Sequence, residues 1–214
     1  MSEEVDQSDT DFAARTRTLL ETHGGYLLAL AKASIEHALE TGQPLDVDLE
    51  IAPPELAAAG ACFVTLNTHG RLRGCIGSPE AWRPLVSDVA ENAYRAAFHD
   101  PRFGPLKGEE ADALDIHISV LSPAHPFAFA DQADLLAKLV PGTDGLIIGD
   151  VIDGQSRRAL FLPSVWKQLP EPEQFLAHLK AKAGLGVEHW SDTFQAWRFI
   201  AAECGAAWAD IGES

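Results

Sequence analysis

The sequence predicts an α+β fold with a largely antiparallel sheet flanked by helices. Residues 61–77 and 144–163 each hold two apolar or alternating segments around a short turn, which is typical of β-hairpins. Other stretches, such as residues 25–41, carry apolar residues at helical spacing. Hairpins outnumber crossover connections, and that balance favours an α+β fold over a parallel α/β fold.

The individual elements follow from these patterns. Helices are predicted over residues 10–22, 25–41, 82–98, 131–140 and 171–183, with a break between the first two at Gly24-Gly25. Strands are predicted over residues 61–68, 71–78, 114–122, 144–163 (as a hairpin) and 194–204. Residues 100–108 contain two prolines and two glycines, which predicts an irregular loop. Residues 1–9 are expected to form a disordered acidic tail, residues 10–206 a single domain and residues 207–214 a C-terminal tail.

Composition restricts the class of protein. The 214 residues include 46% hydrophobic and 22% charged residues, which is the balance of a globular protein. The formal net charge of −16 disfavours binding to bulk nucleic acid and to anionic membranes. Three cysteines without CxxC spacing argue against a disulfide framework and a cysteine-based zinc site, and they favour a reducing, cytoplasmic location. No metal ligand set and no nucleotide-binding or serine-hydrolase motif is present.

The unusual segment is RLRGCIG, residues 71–77. Glycine is costly inside a strand, so Gly74 and Gly77 predict a bulge or a close approach of backbone. Strand alternation predicts that Arg71, Arg73 and Cys75 share one face. Guanidinium groups stabilise a thiolate, which is the usual condition for a nucleophilic or metal-binding cysteine. The alternative is that Cys75 is a packing residue, because cysteine is among the residue types most often buried.

This heptapeptide closely resembles the signature of the AMMECR-domain family, the AmmeMemoRadiSam system protein A group. Three further segments agree in order: HDPRFGPL at 99–106, LDIHISVLSP at 114–123 and LKAKAGL at 179–185. The resemblance covers residues 15–205 and implies an α+β fold in two unequal lobes. It also implies partnership with a Memo-type protein and a radical SAM protein. It implies no particular reaction, and the cofactor is unknown.

The resemblance places a candidate site on the signature and on a second motif at Asp100 and Arg102. In the enzyme reading, Cys75 supplies the catalytic thiol. The residues expected to bind a small anionic ligand are Arg71, Arg73, Gly74, Gly77, Asp100 and Arg102. Two alternatives remain: Asp100 and Arg102 form a salt-bridged loop brace, and the protein is a non-catalytic ligand-binding or adaptor module with a structural cysteine.

His117 lies on the strand face opposite Ile116 and Ile118. The resemblance implies a less polar residue at this position, so His117 is not expected to be a general feature of the family.

Overall fold

The fold divides into two compact units. The structure is a computed structural model that describes the backbone of residues 4–212 and the side chains of residues 13–212. One unit contains Ala14–Leu121 and the segment that starts at Ala202, and the other contains Ser122–Ala201. We call them the first and the second unit. Both combine helices with antiparallel strand pairs, so the predicted α+β class is confirmed.

Along the chain, helices separate the hairpins and the single strands. The helices are α1 (Glu4–Thr41), α2 (Pro54–Ala57), α3 (Leu85–Phe98), α4 (Gly108–Ala111), α5 (Gln132–Lys138) and α6 (Pro172–Lys182). The strands are β1 (Ala59–Thr68), β2 (Arg71–Gly77), β3 (Arg83–Pro84), β4 (Leu114–Leu121), β5 (His125–Pro126), β6 (Gly145–Ile152), β7 (Gln155–Phe161), β8 (Gln195–Phe199) and β9 (Ala201–Ala207). None of the described helices combines the length and the apolar character that a membrane crossing needs.

In the first unit the strands lie in the order β2-β1-β4-β9, and the short β3 also pairs with β1. The β1–β2 hairpin closes through His69 and Gly70, which both have positive φ angles (52° and 71°), as a tight two-residue turn requires. One face of this sheet is fully buried in a core that also contains residues of α1 and α3. Its strand residues include Val64, Leu66, Ile116 and Ile118.

Helix α1 is continuous, so the predicted break at Gly24-Gly25 is wrong. A glycine inside a helix costs about 1 kcal/mol but does not by itself end it. At Gly24 the helix lies against β9, where an added Cβ atom would make an ordinary van der Waals contact with Cys204 Cβ (3.4 Å). Of the predicted acidic tail, residues 1–3 lie outside the described residues, and the helix already begins at Glu4.

The predicted strand over residues 194–204 is two strands in two sheets. β8 pairs with β5 and β6 in the second unit, whereas β9 neighbours β4 in the first. Between them Ile200 exchanges hydrogen bonds with Ser122: Ser122 N donates to Ile200 O (2.9 Å), and Ile200 N donates to Ser122 Oγ (3.0 Å). The change of sheet was not visible in the sequence, because no proline, glycine or turn signal separates the two strands between residues 194 and 204.

Within the segment predicted as a C-terminal tail, residues 208–211 pack into the first unit, and residues 213–214 lie outside the described residues. Trp208 begins a 3₁₀ turn, Trp208–Asp210, and its side chain is buried together with that of Ile211. The Lys32 amine donates to the carbonyl oxygens of both residues, at 3.2 Å each. Apolar burial and a charged donor therefore fix the chain beyond β9.

The second unit contains a four-stranded sheet in the order β5-β8-β6-β7, and the predicted β6–β7 hairpin is confirmed. Asp150 of β6 is buried and accepts hydrogen bonds from His189 Nε2 (2.6 Å), Ser191 Oγ (2.8 Å) and Thr193 Oγ1 (2.6 Å). Burial alone raises the pKa of Asp150, but these donors outweigh it and lower the pKa to about 2. The carboxylate thus anchors residues 189–193 to the sheet.

Substitution of Gly74 is expected to destabilise the first unit. A Cβ atom at this position would lie 2.1 Å from the Ala96 carbonyl oxygen of α3, so the strand or the helix must shift. We expect Gly74→Ala to lower the free energy of unfolding by about 1–3 kcal/mol, measured by urea denaturation. Gly104→Ala is the matched control, because no atom lies within 4 Å of the added Cβ. Equal stability of the two variants would contradict the close approach.

Candidate functional site

Strand β2 contains a β-bulge at Arg73. Leu72 pairs with Asn67 and Gly74 pairs with Leu66, so Arg73 is an extra residue without a partner in β1. β1 itself is regular, because it pairs with β4 without interruption from Ala61 to Thr68. The bulge predicted from the glycines is therefore present, and it lies between the hairpin turn and Cys75.

The bulge decides which face of the sheet carries Cys75. Directly opposite residues of an antiparallel pair share a face, and Cys75 lies opposite Thr65 on the face away from the core. Arg71 lies opposite Thr68, three residues further along regular β1, and hence on the other face. The expectation that Arg71, Arg73 and Cys75 share one face is wrong for Arg71, because the extra residue reverses the alternation. Arg71 is exposed and does not join the thiol.

Asp100 and Arg102 cover the free edge of β2 at Cys75. The Cys75 N–H donates to Asp100 Oδ2 (2.8 Å), and Arg102 Nη2 donates to the Cys75 carbonyl (3.2 Å). Asp100 is buried and accepts from Arg102 Nε (2.9 Å) and Nη2 (2.6 Å). The Arg102 guanidinium holds the pKa of Asp100 well below its ordinary range. This arrangement is the salt-bridged loop brace that the sequence analysis gave as an alternative. It also places Arg102 beside Cys75.

Arg102 lies beside Cys75 through its hydrogen bond to the Cys75 carbonyl. The pKa of Arg102 is raised chiefly by its hydrogen bond to Asp100, and the Cys75 side chain adds a smaller contribution through charge and hydrogen bonding. Thr65 Oγ1 lies on the other side and donates to Cys75 Sγ at 3.2 Å. The half-buried thiol therefore sits between a hydroxyl donor and a guanidinium.

Arg73 is bound by a carboxylate of its own. Its Nε and Nη2 donate to Glu110 Oε1 and Oε2 of α4, at 2.8 and 3.1 Å. Hydrogen bonding from Arg73 lowers the pKa of Glu110 to about 2, against the opposing effect of burial. The guanidinium carbons of Arg73 and Arg102 lie 5.9 and 5.6 Å from the centre of the Phe103 ring. The structure thus brings Arg73, Arg102 and Asp100 together near Cys75, with both arginines already paired.

The two glycines of the signature are required for packing. Gly74 admits the Ala96 carbonyl, as described above, and a Cβ atom on Gly77 would lie 2.3 Å from the Phe63 ring and 2.6 Å from the Cys62 carbonyl oxygen. Phe63 lies directly opposite Gly77, so its ring covers the backbone of β2. Contact between these glycines and a ligand remains a prediction.

The outer face of the sheet around Cys75 carries polar side chains that the sequence analysis did not place beside the thiol. Thr65 lies opposite Cys75 in β2 and opposite His117 in β4, and Asn67 follows on the same face of β1. Thr65 and Asn67 are partly exposed and His117 is exposed. Counting pairs from the His69-Gly70 turn would have placed Cys75 opposite Val64 on the buried face, so only knowledge of the bulge reveals these neighbours.

The other two cysteines are in different environments. Cys62 is fully buried, and its pKa is raised by burial and then by the nearby Asp88 carboxylate. Burial also raises the pKa of Cys204 to about 11. Both shifts oppose thiolate formation at Cys62 and Cys204.

The Arg73–Glu110 pair is expected to lose its stabilising effect in acid. The pKa of Glu110 is lower in the folded chain, at about 2, than its ordinary value of 4.5, so the stabilisation is complete above pH 4.5 and declines as the pH falls toward 2. We expect the free energy of unfolding to fall more over this interval in the wild type than in Glu110→Gln, measured by chemical denaturation. Glu109→Gln, at the exposed neighbouring carboxylate, is the control and should follow the wild type. Parallel curves for wild type and Glu110→Gln would contradict the role of the pair.

Comparison with known proteins places the chain in a family. A family model described as AMMECR1 matches residues 28–204. A protein of Methanothermobacter thermautotrophicus is 37% identical over 168 residues, which are 78% of this chain and 85% of that protein. A protein of Methanocaldococcus jannaschii is 35% identical over 189 residues, covering 86% of this chain and 90% of its own length.

A solved structure agrees in fold. The crystal structure of an uncharacterized protein from Pyrococcus horikoshii superposes with a TM-score of 0.72 at 34% identity, covering 85% of this chain and 90% of that one. The matched residues include the signature at 71–77, the Asp100–Arg102 motif and both units. This chain therefore belongs to the AMMECR1 family.

Proposed function

We propose that this protein is an enzyme component in which the Cys75 thiol reacts with a small substrate bearing a carboxylate or phosphate group. The observation that carries the proposal is the position of Cys75 Sγ on the outer sheet face, between the Thr65 hydroxyl (3.2 Å) and the Arg102 guanidinium. Cys75 is only half-buried, and a cysteine nucleophile must be accessible to its substrate.

Arg102 is the side chain best placed to recognise the anionic group. Its Nε and Nη2 are bound by Asp100, but the side chain remains 52% exposed. Guanidinium N–H groups that face solvent can donate to a carboxylate or phosphate. The charge of Arg102 is balanced by Asp100, so recognition rests on these directed hydrogen bonds more than on net charge.

A non-catalytic adaptor is the second candidate, and one observation favours it. Three residues of the signature and of the second motif have packing explanations: Gly74 accommodates α3, Gly77 accommodates Phe63, and Asp100 binds the edge of β2. An adaptor needs only this shape, with Cys75 filling space beside Thr65. The two candidates differ in the reactivity of the thiol.

Alkylation of Cys75 distinguishes the candidates. Iodoacetate and iodoacetamide are the same electrophile with and without a carboxylate, so the ratio of their rate constants at Cys75 measures anion recognition. In the wild type we expect this ratio to exceed that of a small free thiol. We expect a decrease of about two- to fivefold in Arg102→Gln, which is the range of an exposed charge interaction. Labelling at Cys75 is measured by mass spectrometry of the native protein.

Arg71→Gln is the matched control, because Arg71 lies on the opposite face of the same strand. It should leave the ratio unchanged, and the melting temperatures of both variants report whether the fold is intact. A Cys75 that is labelled no faster than a buried thiol, or with the ratio of a free thiol, would favour the adaptor.

The partnership with a Memo-type protein and a radical SAM protein is part of the proposal and rests on family resemblance. Co-purification of tagged wild-type chain with each protein tests it directly. Recovery of neither partner would remove this part of the proposal without affecting the chemistry at Cys75.

A further inference from the structure

The second unit contains a cavity of about 530 Å³ that takes no part in the proposed chemistry of Cys75. It lies where the pairing of β5 with β8 ends. Phe127 N donates to Ala196 O (2.8 Å), and residues 128–130 then line the cavity instead of continuing the strand. The volume is that of a small-molecule site, for which about 300–1,000 Å³ is usual.

Three aromatic rings of the lining form a corner. The rings of Trp190 and Phe194 are stacked, with centroids 4.5 Å apart and planes inclined by 26°. The Phe129 ring is inclined by 63° and 68° to these two rings, at centroid distances of 5.5 and 6.3 Å. Phe194 is buried, whereas Phe129 and Trp190 are partly exposed. A flat ring in this aromatic corner can stack on one wall and meet the other edge-on, which are the two arrangements that aromatic pairs prefer.

The buried Asp150 carboxylate holds one wall of the cavity in place. It binds the side chains of His189, Ser191 and Thr193, which alternate along the chain. The intervening residues Trp190 and Asp192 line the cavity. Because these bonds exist without a ligand, little ordering of this wall is needed when a ligand binds.

Two polar side chains of the lining have unused hydrogen-bonding capacity. In the part of the chain that the structure describes, the side chains of Asp192 and Gln195 form no hydrogen bond or ion pair. A carboxylate only accepts, whereas a carboxamide both donates and accepts. Together they match the edge of a ring that carries an N–H donor beside an acceptor nitrogen or oxygen.

Lys180 disfavours a cation in the aromatic corner. Its Nζ lies 5.3 Å from the centroid of the Trp190 ring and 5.8 Å from that of Phe194. Lys180 is fully buried and lines a smaller cavity of about 270 Å³, whose lining shares no residue with the larger one. Aromatic walls with a carboxylate would otherwise suit an organic cation, but rings that already bind one cation attract a second less, and like charges repel. A neutral, electron-rich ring fits these walls better.

We propose that this cavity binds a flat, neutral nitrogen heterocycle with an N–H donor beside an acceptor on its edge, as in a nucleobase. The ring stacks in the aromatic corner, and Asp192 and Gln195 bind its polar edge. The site belongs to the second unit alone, and it goes beyond the proposed function because it requires no covalent step and no contribution from Cys75.

The test titrates the full chain with adenosine and with purine riboside, followed by ligand-observed NMR. The two nucleosides differ only in the amino group of the base, so purine riboside offers acceptors without a donor. We expect adenosine to bind about three- to tenfold more tightly, which is the range of one net hydrogen bond.

Variants separate the polar edge from the aromatic walls. In the double variant Asp192→Ala/Gln195→Met we expect the preference for adenosine to disappear while purine riboside binds as in the wild type. Phe129→Leu should weaken both nucleosides by about fivefold or more, the lower range for base–aromatic stacking. Glu171→Gln removes an exposed carboxylate of the second unit outside the lining and should keep the wild-type preference. Melting temperatures report whether each variant is folded.

Three results would overturn the proposal. They are no saturable binding of adenosine up to its solubility limit, equal affinity of the wild type for adenosine and purine riboside, and tighter binding of choline than of adenosine. The last result would assign the aromatic corner to an organic cation instead. Each leaves the proposal for Cys75 unaffected, because the alkylation of that thiol is measured independently.

Discussion

One extra residue in strand β2 determines the surroundings of the signature cysteine. Without the bulge at Arg73, pairing from the tight turn would place Cys75 opposite Val64 and direct its side chain into the core. With the bulge, Cys75 lies opposite Thr65 on the outer face. The bulge is fixed on both sides, because Arg73 is held by Glu110 and Gly74 receives a carbonyl oxygen of α3. The surroundings of the Cys75 thiol thus depend on how Arg73 and Gly74 are packed.

The two arginines near Cys75 are already paired with carboxylates. Residues 61–108 are slightly basic within a strongly acidic chain, yet Arg73 and Arg102 are bound by Glu110 and Asp100. The anionic ligand proposed above would therefore meet donors with defined directions and little excess charge. Recognition of this kind would depend on geometry more than on net charge, and hence less on ionic strength than binding to an open basic patch.

Much of the fold was predictable because it depends on local patterns. Alternation marked the two hairpins, helical spacing marked α3 and α6, and the His69-Gly70 and Asp153-Gly154 turns lie where predicted. The errors arose where a tertiary contact overrides a local rule. Helix α1 continues through Gly24 and lies against β9 there, and the apolar run through Ile200 did not show that the chain changes sheets.

The candidate site was predictable in part. Glycines inside a strand correctly indicated a bulge, and the residue types at Asp100 and Arg102 indicated a pair. The face of Arg71 was wrong because a sequence does not show which residue of a bulged strand is left unpaired. Thr65, Asn67 and His117 join the site only through strand register, which is set by the whole sheet.

The Asp100–Arg102 pair also protects the edge of the sheet against pairing with a strand of a second copy of this chain. At Cys75 it occupies the N–H and C=O groups that an edge strand would otherwise present to any passing strand. Strand β2 lies at the edge of the sheet, and here a side-chain ion pair forms the hydrogen bonds that a neighbouring strand would otherwise form. Without either partner, these two backbone groups would face solvent at the sheet edge, which is the arrangement that favours edge-to-edge pairing of strands.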